Sequence, residues 1–135
     1  MVDISITPAN VVKGADAVVA TGIAGATILA GQTLARDTDG SIKLYDSDNA
    51  SSNIRTLIGI ALHGASSGQP IAFQTAGSIT IGGTVVQGTV YLGSDGAGGI
   101  RPAVDLNSGD FTSVVGIATS AAAIKLGILN GGVAF

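Results

Sequence analysis

The chain has no cysteine, no tryptophan and no glutamate, and only three prolines and one histidine among its 135 residues. Without cysteine there is no disulfide framework and no thiolate metal site. Without glutamate, and with only six Lys and Arg, there is little material for the polar face of an amphipathic helix. All nine acids are aspartate, a residue of turns and caps rather than helix interiors. The net charge is −3, and the basic residues Lys13, Arg36, Lys43, Arg55, Arg101 and Lys125 are scattered along the chain. Neutralising phosphates needs clustered cations, so no nucleic-acid partner is expected. Long apolar runs are missing too. The most apolar stretch, Ala17 to Ala30, is interrupted by glycine and falls short of the roughly 20 residues of a membrane helix. The N-terminus has no basic segment followed by an apolar one, so it does not read as a secretory signal. The expectation is a soluble protein made in a reducing cytoplasm, with no membrane partner.

What is present is glycine, 21 residues of it, with many Val, Ile and Thr. Short strands joined by tight turns follow from that mixture. The predicted fold is all-β, a small barrel or sandwich of short antiparallel strands. Aromatic residues are only 4%, so the core must be built from Ala, Val, Ile and Leu. Such side chains bury little area each, and burial between subunits is the natural supplement, which predicts a homo-oligomer. Tyr45, Tyr91, Phe73, Phe111 and Phe135 are spread singly and read as core or subunit anchors rather than a stacking platform.

Two blocks recur at one offset. Thr27–Gly31 (TILAG) lies 57 positions before Thr84–Gly88 (TVVQG), and Ile58–Ala61 (IGIA) lies 57 positions before Val115–Ala118 (VGIA). Each half reads as one unit. An apolar strand ends in a glycine turn, two strands flank a glycine-rich hairpin, and a loop leads to the IGIA or VGIA strand. A closing strand ends the unit, PIAFQT in the first half and IKLGIL in the second. Gly59 and Gly116, inside strands, predict bulges or a close backbone approach. The units span about 24–77 and 81–132, within a single β domain at 21–135, and suggest a pseudo-two-fold axis. Residues 1–20 form an N-terminal segment, either an edge strand or an extended arm reaching a neighbouring subunit.

Four stretches invite chemistry. Gly64-Ala65-Ser66-Ser67-Gly68, directly after His63, matches the nucleophile elbow G-x-S-x-G. An elbow needs a helix after it and a base elsewhere in the fold. Here a strand pattern follows from Pro70, and the only imidazole sits on the same connection. The second unit has Ser120 in place of His63, so the stretch reads as an exposed hairpin loop. Asp37 to Asp48 holds four carboxylates, but its spacing fails the EF-hand pattern at Ile42 and Asp48. A hairpin with Asp37-Thr38-Asp39-Gly40 as its turn is expected, with an irregular calcium site as the alternative. Gly93–Gly99 lacks the lysine and the following helix of a phosphate cradle and reads as a hairpin tip. Thr84–Leu92 is similar to the hairpins of lipoyl and biotin carrier domains, but neither Lys43 nor Lys125 falls at a plausible tip. No catalytic, cofactor-binding or metal residue is assigned, and the chain does not read as an enzyme.

The stretches AGATILAGQTLARD, LIGIALHGASSGQPIAFQTAGSITI and GTVVQGTVYLGSDGAGGIRP together resemble the head-decoration, or capsid cement, proteins of tailed bacteriophages. The resemblance covers about Ala24 to Leu129. It implies a homotrimer on the outer surface of the phage head, bound to the major capsid protein and stabilising the capsid, with no cofactor. The virion head surface would be its location. Another virion part, such as a head-fibre or tail-associated module, and a carbohydrate-binding β module using Tyr45, Tyr91 or the Asp37–Asp48 loop are the alternatives.

Overall fold

The computed structural model describes residues 3–105 and 108–134. Among the described residues ten strands form, all in antiparallel pairs: β1 (Val11–Lys13), β2 (Val18–Ile23), β3 (Thr33–Arg36), β4 (Ile42–Leu44), β5 (Gly59–Ala61), β6 (Pro70–Ile81), β7 (Val90–Gly93), β8 (Ile100–Pro102), β9 (Phe111–Ala118) and β10 (Ala123–Ala134). Single 3-10 turns cover Pro8–Asn10 and Ala103–Asp105. The all-β expectation holds. The sheet curls into a half-barrel with the order β4-β3-β5-β6-β10-β9-β7-β8, and β1 and β2 lie along the other edge of β6. The first half closes further where Ala24 bridges Ile42, with the Gly25 amide donating to the Ile42 carbonyl at 2.8 Å.

The order is palindromic when strands about 57 positions apart are matched: β3 with β7, β4 with β8, β5 with β9, β6 with β10. Backbone hydrogen bonds recur at the same offset. Gly31 N donates to Ala61 O and Gly88 N to Ala118 O, both at 2.8 Å. Ala61 N donates to Gln32 O at 2.9 Å, and Ala118 N to Thr89 O at 3.0 Å. The glycines ending the two turns, Gly31 (φ 89°) and Gly88 (φ 85°), adopt the left-handed conformation that a Cβ penalises.

Two expected elements differ. Thr27–Gly31 is not a strand: Ile28 makes one isolated bridge, to Ala65, and the chain then turns at once. The closing strands are longer than expected, twelve residues each. Glycine reads as a strand end in the sequence. Gly77 (φ 87°) instead lets β6 bend and continue, and a Cβ there would run into the Asp16 carbonyl.

That bend makes β6 common property. Its first half places Ile71 and Phe73 in one core, with Ala24, Ile28, Leu34 and Ile42. Its second half places Ile79 and Ile81 in another, with Tyr91, Ile100, Val115 and Ile124. These are largely aliphatic cores, each full Ile or Leu burial contributing about 1.5–3 kcal/mol. Tyr45, Phe73 and Tyr91 are the aromatic anchors within them. Phe111 is partly buried beneath the Arg55 guanidinium, 3.8 Å from its ring centroid, and Phe135 lies outside the described residues. Residues Val11–Lys13 and Val18–Ile23, which cover part of the predicted arm and its border, run antiparallel to β6 of the same chain.

Candidate functional site

The stretch Leu62–Pro70 is a turn between β5 and β6. Ala65 is its inward anchor, exchanging hydrogen bonds with Ile28 in both directions at 2.8 and 2.9 Å. Ser66 and Ser67 are exposed, and the turn is drawn tight by Gln69 N donating to Ser66 O at 3.0 Å. His63 is engaged at both ring nitrogens. Its Nε2 accepts the Ala72 amide at 3.0 Å, so Nδ1 carries the proton and donates to Gly64 O at 2.9 Å. The imidazole therefore caps a strand-entry amide and is not directed at Ser66. Ser120, its counterpart 57 positions on, does the same, its Oγ accepting the Ala122 and Ala123 amides at 3.2 and 3.1 Å. Replacing His63 with Ala leaves the Ala72 amide near solvent. The expected loss is about 0.5–1.5 kcal/mol in a denaturation midpoint, with the fold intact by circular dichroism.

The four carboxylates of Asp37–Asp48 separate into two groups. Asp37 and Asp39 belong to the β3–β4 hairpin turn. Asp37 accepts Thr38 N at 2.7 Å and pairs with Lys43 at 2.7 Å, and Asp39 accepts the Ser41 amide and hydroxyl at 2.9 and 2.6 Å. The bond from Lys43 holds the Asp37 carboxyl below its usual range, and the Ser41 hydroxyl does the same for Asp39. Asp46 and Asp48 point elsewhere, toward the second half of the sheet.

There Asp48 lies beside two acids that pair with a buried guanidinium. Arg101, on β8, is fully buried. Its Nη2 pairs with Asp110 and donates to Ser47 Oγ at 3.3 Å, while Nη1 lies 3.2 Å from Asp95. Carboxylate oxygens of Asp48, Asp95 and Asp110 lie within 4.8 Å of one another. Arg101 is the positive charge that Asp95 and Asp110 share. Asp46 sits at the margin, accepting Asp48 N at 3.3 Å. Burial, reinforced by the neighbouring Asp48 carboxyl, pushes Asp46 up to about 6. The sequence carries no local sign of this junction. Its charges come from four separate segments, and the one hint is that Arg101 follows Ile100 as Lys43 follows Ile42. Lys43 pairs at the surface, whereas its counterpart pairs inside.

The remaining candidates are surfaces. Tyr45 and Tyr91 are buried, so neither offers a ring to a sugar. A cleft of about 340 Å³ lies between the N-terminal segment, the Leu29–Gln32 turn and Gly96–Gly99. The one acid lining it, Asp3, already accepts the Ser94 hydroxyl at 2.6 Å. Val12, Val18, Val19 and Ile23 are exposed along β1 and β2. Among the described residues, the β2 strand pairs along its length on one edge only, with β6, and it carries no charge. No helix among the described residues is long and apolar enough to cross a membrane. No protein-family model matches the chain, and no curated protein matches it in sequence.

Proposed function

We propose that the protein is a structural component of a phage virion that binds the outer surface of the capsid and stabilises the head. It has no catalytic role in this reading. The observation that carries it is the β2 edge. Natural edge strands are guarded by charge, proline or cover, because an open edge invites another chain. This one displays Val18, Val19 and Ile23 with no charge between them, which suits a protein whose working state is bound. The resemblance to head-decoration proteins supplies the partner, the major capsid protein, and the homotrimer. A rigid β trimer engaging several capsid subunits gains avidity without any single strong contact. The 1–20 segment, with β1 inside it and the start of β2, is the part assigned to the capsid or to a neighbouring copy.

The test is to add purified protein to expanded heads lacking it. Saturable binding at a fixed ratio to capsid subunits is expected, together with greater resistance of the heads to heat. Absence of saturable binding overturns the reading. Localisation of the protein to tail or fibre in virions would favour a different virion part.

A further inference from the structure

Asn130, on β10, clips that strand to the chain between β4 and β5. Its side-chain amide pairs with Leu57 in both directions, as a strand residue would. Leu57 N donates to Asn130 Oδ1 at 2.8 Å, and Asn130 Nδ2 donates to Leu57 O at 3.0 Å. The Ser113 hydroxyl on β9 donates to the same Oδ1 at 2.7 Å. Leu57 and Ser113 are buried, so a broken clip strands polar groups without a ready partner. The first half has no equivalent, because the residue 57 positions before Asn130 is Phe73.

Gly131 and Gly132 follow, and Asn130-Gly131 is the one Asn-Gly pair in the sequence. Asn130 and both glycines are exposed, so water reaches them. The pairing with β9 shifts register between Asn130 and Ala134, and Gly132 takes φ 74°. The backbone nitrogen after Asn130 therefore belongs to a residue with no Cβ, at the start of an irregular stretch. No other residue type leaves that nitrogen so open to the side chain before it.

We propose that Asn130 is a deamidation site that its own clip holds shut. In the reaction, Gly131 N gives up its proton and bonds to Asn130 Cγ. The Cγ–Nδ2 bond breaks and Nδ2 departs as ammonia. Water then opens the five-membered imide at one of its two carbonyls. One opening gives aspartate at position 130, and the other gives an isoaspartyl link with the main chain running through Cγ. One water is consumed, one ammonia is released, and nothing is oxidised or reduced.

The clip opposes the first step. The nitrogen that must leave is the one donating to Leu57 O. Turning Cγ onto Gly131 N also draws Oδ1 away from Leu57 N and the Ser113 hydroxyl. Those two donors polarise the carbonyl, but both are fixed in the fold and neither follows it to the nucleophile. Ring closure therefore waits for the clip to open. Afterwards the clip cannot re-form. Aspartate at 130 has no hydrogen to give Leu57 O and sets a carboxylate against that carbonyl. The isoaspartyl link lengthens the main chain and moves Ala134 out of register with Phe111. Each opening thus carries a chance of permanent release, which frees the segment around Leu57 from β10.

The experiment ages the full chain at mildly alkaline pH, once folded and once in guanidinium chloride, and follows every asparagine by peptide mass spectrometry. In denaturant Asn130 should convert ahead of the other asparagines. In the folded chain its conversion should be at least about tenfold slower, set by the opening of the clip. Ser113→Ala removes one donor to Oδ1 and leaves the Asn-Gly pair intact, so its folded form should convert several-fold faster than the wild type. The deamidated fraction of folded wild type, separated by charge, should show faster amide exchange at Leu57 than the intact fraction. Equal rates in folded and denatured chain overturn the guard, and so does a slower Ser113→Ala, which would mean that the donors promote the attack. Unchanged exchange at Leu57 overturns the permanent release. Should Ser113→Ala fail to fold, the wild-type ratio of folded to denatured rates decides.

Discussion

Arg101→Met is expected to lose about 3–5 kcal/mol of stability, read as a lowered midpoint in urea. Methionine fills similar volume and keeps the apolar stem, so the loss isolates the charge. In its absence Asp110, itself buried, keeps a carboxylate with no cation beside it, and Asp95 and Asp48 stand within 4.8 Å. Breaking a buried pair from one side is costly because the remaining charge is stranded. A domain of this size has roughly 5–15 kcal/mol in hand, so the loss is a large share of the total. The double variant Arg101→Met, Asp110→Asn should recover part of it, because it removes the stranded charge. A single variant as stable as the wild type would mean that Arg101 is not the counter-ion that holds these loops.

Gly116→Ala should cost about 2–3 kcal/mol, for a steric reason. Gly116 sits opposite Leu126 in the β9–β10 ladder. A Cβ there would overlap the backbone carbonyl of Lys125, which cannot rotate out of the way. The two strands would have to part. Gly59, its counterpart in the first half, has Gln74 O and the Phe73 ring each at 2.7 Å from a built Cβ. One of those neighbours is a side chain with some freedom to shift. Gly59→Ala should therefore be the milder change, and equal or reversed thermal midpoints would refute this account of the two sites.

Those two glycines also mark how far the sequence could be read. A glycine between apolar residues in a strand pattern predicts close backbone approach, and at both positions backbone does come close. The Asp39-Gly40 turn, the strand from Pro70 and the lack of α-helix among the described residues were legible for the same reason: each depends on local conformational preference. The junction at Arg101 was not legible. Residues 46, 48, 95, 101 and 110 meet only because the palindromic strand order brings the β4 loop to the β7–β8 tip. No spacing rule reports on that. The role of His63 was half legible. Its match with Ser120 indicated a shared turn, but capping of a strand-entry amide depends on where Ala72, Ala122 and Ala123 lie. The lengths of β6 and β10 were misread because glycine punctuates a sequence more often than it bends a continuous strand.

The β6 strand has one more consequence. Ile71 and Phe73 belong to the first core, Ile79 and Ile81 to the second, and all four lie on one twelve-residue strand. A chain with two similar halves would ordinarily be free to lose one and keep the other, in two melting steps. Here neither half can shed its share of β6 without exposing the other's interior. The halves are therefore coupled into one cooperative unit, and the matched strand order leaves no seam along which the molecule can come apart.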